Sequence, residues 1–85
     1  MENSELIEYI KSSFPDEMSI IERSLINYYY LRNKKDKTES EIELMNTIYD
    51  GVNTLFRILS AHISEEFKLD KGALNRQLIS IFIKT

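Results

Sequence analysis

The chain has 85 residues, a formal net charge of −3 and no cysteine. That describes one domain with a small core, without disulfides or thiolate metal ligands, and too acidic overall for a dedicated duplex-DNA binder. No apolar run approaches the roughly 18 residues a membrane-spanning helix needs. The first residues, Met1–Glu5, are acidic and lack the basic and apolar regions of a signal peptide, so a cytoplasmic location is expected.

Residues 3–13 read as a short helix. Leu6, Ile7, Ile10 and Phe14 recur at helical spacing, and Asn3 or Ser4 is placed to cap it. Ser12, Ser13 and Phe14 precede Pro15, which disfavours helical geometry in the residue before it. Pro15 then suits the first position of a second helix, with Asp16 and Glu17 in its first turn. The apolar stripe of that helix is Met18, Ile21, Leu25, Tyr28, Tyr29 and Leu31, and it is expected to end near Asn33. Residues 33–37 form a polar connector short enough to make the flanking helices antiparallel neighbours.

The dominant element is a third helix from about Thr38 to Phe67. Thr38 and Glu41 have capping-box spacing, and Glu39, Glu41 and Glu43 favour the N-terminal end of the helix dipole. At about 100° per residue, Leu44, Met45, Ile48, Tyr49, Val52, Leu55, Phe56, Leu59, His62, Ile63 and Phe67 share one arc of roughly 140°. Asn46, Asp50, Asn53, Arg57, Ser60 and Ser64 fall on the far side, and Ile58 is the one large apolar residue out of place. Asp50-Gly51 is a turn dipeptide, and a break there is the rival reading. The stripe passes from Ile48 through Val52 to Leu55 without a slip of phase, which predicts one helix. The small residue at 51 would also let another backbone come close.

Leu69 to Gly72 read as a turn, with Asp70 capping a last helix to about Ile83 along Leu74, Leu78, Ile81 and Phe82. The alternation of Ile79, Ile81 and Ile83 would also suit a strand, but no second strand is available to pair with it. The predicted fold is therefore all-α, a small four-helix bundle in one domain, with the first and last helices packed on the hairpin formed by the second and third.

Two helices carry apolar residues beyond their main stripe: Ile26 and Tyr30 on the second, Ile79 and Ile83 on the last. Each is an i,i+4 pair and makes a contiguous patch. Either the bundle wraps these helices on two sides, or the patches bind a partner or a second copy. The second reading makes Ile26, Tyr30, Ile79 and Ile83 the candidate partner-binding residues and predicts a homodimer.

Catalytic constellations are scarce. There is one histidine and there are two glycines, so neither a nucleophile–base triad nor a backbone phosphate cradle has its parts. The acidic residues are explained by capping and solubility, and no metal or cofactor is expected. Tyr28-Tyr29-Tyr30 precedes Arg32, Lys34, Lys35 and Lys37, aromatics beside cations that could stack bases and follow a phosphate chain. On a helix, though, three consecutive tyrosines point three ways, and only Tyr30 is expected to face outward.

Arg57-Ile58-Leu59-Ser60-Ala61-His62 has an arginine and a histidine separated by four residues. It resembles the active-site signature of HEPN domains, all-helical proteins many of which are RNA-cutting toxins. The resemblance implies that Arg57 and His62 act together on RNA phosphate across a dimer. In architecture the chain is similar to small bacterial and phage regulators and to bacteriocin-immunity bundles. Its Ile, Lys, Asn, Glu and Tyr content is typical of AT-rich coding sequence.

Two function classes follow. The first is a small non-enzymatic interaction module, a regulator, inhibitor, chaperone-like or immunity-type protein that docks helix surface on another protein. The alternative is a nucleic-acid-directed protein, working through Arg57 and His62 or through the Tyr30–Lys37 region.

Overall fold

A computed structural model describes residues 1–83. They form four helices: α1 (Asn3–Ser13), α2 (Pro15–Asn33), α3 (Glu39–Phe67) and α4 (Lys71–Phe82), with no strand among the described residues. α3 is unbroken through Gly51. Its 29 residues span about 43 Å at 1.5 Å per residue, which sets the 44 Å long axis of the molecule.

The helix ends are chemically marked. Pro15 opens α2. At α3, Thr38 Oγ1 accepts from the Glu41 amide at 3.2 Å, and the Thr38 amide donates to Glu41 Oε1 at 2.9 Å. At α4, Asp70 Oδ2 accepts from the Ala73 amide at 3.3 Å. α1 departs from expectation. Its cap is Glu2, whose amide donates to Glu5 Oε1 at 3.3 Å, while Asn3 and Ser4 already lie inside the helix. α3 stops because Lys68 turns left-handed at φ 55°, letting the amides of Lys68 and Leu69 both reach Ser64 O. The reversal therefore occurs at Lys68 to Asp70, and Gly72 is a residue of α4.

One apolar cluster joins all four helices. Leu6 and Ile10 of α1, Met18, Ile21 and Leu25 of α2, Val52, Phe56, Leu59 and Ile63 of α3, and Leu74 and Leu78 of α4 are buried in it. Each such side chain contributes about 1.5–3 kcal/mol by leaving water. Phe56 and Phe82 stack with ring centres 5.7 Å apart, and Tyr9 meets Phe67 edge-on at 4.9 Å. Gln77 Nε2 ties α4 to the start of the chain, donating to Met1 O at 2.8 Å and Asn3 Oδ1 at 2.9 Å.

Ser60, expected on the solvent side of α3, is fully buried. The core-facing arc of α3 is rotated from the centre of the apolar stripe, so Ser60 enters it while Leu44 and His62 leave it. Gly51 has no close neighbour within the chain, contrary to the expectation that it lets another helix of the bundle come close: a Cβ built there meets nothing within 4 Å.

Candidate interaction surface

Burial divides α3 at its midpoint. From Glu39 to Gly51 not one residue is buried, although that half carries Ile42, Leu44, Met45, Ile48 and Tyr49. The other half buries Val52, Phe56, Leu59, Ser60 and Ile63. The cause is helix length. α4 runs back along α3 from the turn at Lys68, and its 12 residues cover only about 18 Å. It is exhausted at Phe82, opposite Phe56, where Tyr29 Oη donates to Phe82 O at 2.6 Å. α1, with 11 residues, sits at the same end, touching Phe67 through Tyr9. The far end of the molecule is thus a bare hairpin of α2 and α3, with Tyr28 and Tyr49 rings 5.9 Å apart between them.

The outer surface of that hairpin carries large exposed apolar residues among polar ones. Ile26 is 69% exposed and Tyr30 71%. With Tyr29, Asn33 and Lys34 they line a shallow groove on α2. On α3, Ile42 lies exposed between Glu39 and Glu43. The last-helix pair behaves differently. Ile83 is only 4% exposed and Ile79 is half-buried against the core, so these two fill the bundle and present no patch. α4 packs along α3, and Tyr29 of α2 meets its last turn at Phe82.

Much of the basic segment's charge is engaged within the chain. Lys34 forms an ion pair with Glu41, and Lys37 Nζ donates to Lys34 O at 2.8 Å. The Arg32 guanidinium stands 5.9 Å from the centre of the Tyr29 ring. The Lys34 ammonium, helped by the Thr38 amide, lowers the Glu41 carboxyl to about 2. Lys35 is exposed. Tyr28 and Tyr29 pack against the core and Tyr30 does not.

Arg57 and His62 are both exposed on α3. Five residues of helix put them about 140° apart, on different faces, and the His62 ring lies 6.1 Å from Phe14. Among the described residues no group of three or more His, Cys, Asp or Glu is placed to hold a metal ion. Nor is any helix long and apolar enough to cross a membrane.

One surface escaped the sequence reading. Ile58, out of place on the predicted stripe, is 48% exposed, and Leu44, placed within that stripe, is 52% exposed. With Ile48, Gly51, Leu55 and His62 they recur at steps of four and three residues along α3. That is heptad spacing, and it keeps all six within about 80° on the helix. The seam lies on the flank of α3, about 100° from the core-facing side; Ile48 and Leu55 lean on the core while Leu44, Gly51, Ile58 and His62 face solvent. The four–three spacing is the available signal, hidden because the wide arc takes in Leu44, Ile48, Leu55 and His62 and leaves Gly51 and Ile58 outside it.

The chain matches no protein-family model, no curated protein and no solved structure.

Proposed function

We propose that this chain is a small non-enzymatic interaction module that docks the bare end of its α2–α3 hairpin on another protein and also self-associates. The supporting observation is the uncovered half of α3, together with Ile26 and Tyr30 turned outward beside it on α2. Large apolar residues clustered at one end of a small protein are characteristic of binding surfaces. Tyr30 and Ile26 supply the anchor, with Asn33 and Lys34 as the polar residues of the same groove. Such a module fits the roles of regulator, inhibitor, chaperone-like or immunity-type protein, in the cytoplasm of a bacterium or in a phage-infected cell.

The test is a quantitative pull-down from a candidate host, comparing the native chain with Ile26→Asp and Tyr30→Asp. A specific protein retained by the native chain and lost with either variant supports docking at this surface. Retention undiminished in both variants removes it. Incubation with labelled RNA tests the alternative: cleavage abolished by Arg57→Ala and by His62→Ala would replace this reading with a ribonuclease. Retarded RNA, restored to free mobility by Lys35→Ala and Lys37→Ala, would replace it with a nucleic-acid regulator.

A further inference from the structure

We propose that a second copy of this chain covers the flank of α3, the two long helices crossing antiparallel at Gly51. This deepens the self-association in the reading above and does not depend on the docking of a different protein. The seam Leu44, Ile48, Gly51, Leu55, Ile58 and His62 has the periodicity by which helices pair lengthwise. Gly51 is at its middle, and the space beside it is open. A residue without a side chain at the centre of an apolar seam lets a second backbone approach closely there.

The charges identify the occupant and its direction. In an antiparallel pair centred on Gly51, a residue a given number of positions before it faces the residue the same number after it. Leu44 and Ile58 are each seven positions away, so each meets the other's copy. Lys37 and Glu65 are each fourteen positions away; Glu65 lies about 20 Å along the α3 axis, and Lys37 stands in the connector just before the opposite end of that helix. Lys35 and Glu66 follow at sixteen and fifteen. The basic connector of one chain therefore reaches the exposed acidic pair at the end of the other's α3, twice over, by symmetry. A parallel pair would instead stack the basic segment on its own copy and the acidic pair on its own copy. Antiparallel crossing also lays the bare hairpin end of each chain beside the four-helix end of the other. Leu44 and Ile48, the seam residues of the half of α3 that α4 does not reach, then gain an apolar neighbour.

The chain has no native cysteine, so introduced ones report the geometry directly. Gly51→Cys is expected to link to itself on oxidation. Leu44→Cys is expected to link to Ile58→Cys when the two variants are mixed, and not to itself. In sedimentation over a range of concentrations the native chain dimerises, and Leu44→Glu or Ile58→Glu weakens the dimer by more than about tenfold. Lys37→Glu and Glu65→Lys each weaken it by about threefold, and the two together restore it. A native chain that stays monomeric throughout overturns the proposal, as does Leu44→Cys linking to itself as readily as to Ile58→Cys. So does a dimer that survives Leu44→Glu and Ile58→Glu but is lost in Ile26→Asp,Tyr30→Asp. Retention of the dimer in that last variant, with loss of the captured protein, separates the two surfaces.

Discussion

At Gly51 the helix carries its least favourable residue for an interior position, by about 1 kcal/mol against alanine. Nothing inside the monomer requires it: its φ is not positive, and an added Cβ meets no atom within 4 Å. Gly51→Ala is therefore expected to stabilise the monomer by about 1 kcal/mol in denaturant titrations at low protein concentration. A loss of stability would mean that the backbone at 51 is not relaxed helix. Glu41 is the other residue with a measurable signature. Its carboxyl is lowered from the ordinary 4.5 to about 2, first by the Lys34 ammonium and then by the Thr38 amide. A lowered carboxyl favours the fold when ionised, so its contribution is complete above about 4.5 and is lost as the pH falls towards 2. Glu41→Gln should lower stability at neutral pH and flatten the decline between those values, read by thermal melts across the acid range. Because the pair is exposed, the effect is small and shrinks with salt.

Among the elements, α3 is the one whose two halves differ. The same hydrogen-bonded ladder runs throughout, but the first half rests on α2 only through half-buried residues such as Ile48 and Tyr49, whereas every fully buried residue of the helix lies in the second half. Helical stability in proteins comes mostly from packing an apolar face, so amides from Glu39 to Gly51 are expected to exchange with solvent well before those from Val52 to Ile63. Equal protection along α3 at a concentration where the chain is monomeric would contradict this. The helix boundaries were readable from the chain because they rest on local chemistry: Pro15, the Thr38–Glu41 box and the Asp70 cap each act within one turn. The face of α3 that is buried was not readable in the same way. A wheel gives the angle of each side chain; it does not know that α4 ends at Phe82 or that α1 spans only 11 residues. Hence the wheel points Ser60 to solvent although it is in the core, and Leu44 to the core although it is half in solvent. At the candidate surface, Ile26 and Tyr30 stood out as surplus because α2 already had a full stripe. Ile79 and Ile83 stand out equally on the wheel, and only the third dimension shows that they pack into the core.

For the molecule as a whole, these facts separate residues that hold the fold from residues available for contact. A domain of this size has about 4–13 kcal/mol of stability. Phe56 is fully buried, stacks on Phe82 and sits where α3 and α4 converge, so Phe56→Ala should cost about 3–5 kcal/mol and leave the chain close to unfolding. Ile26 is more than two-thirds exposed, and Ile26→Ala removes little that the monomer has buried. Its cost should be within about 0.5 kcal/mol, as for other surface changes. The comparison is made by urea unfolding at concentrations too low for self-association. If Ile26→Ala destabilises the isolated chain as much as Phe56→Ala, the hairpin end is part of the core and has no surface to offer. If the cost appears only at high concentration, or with the docked protein present, Ile26 is buried by association and not by folding.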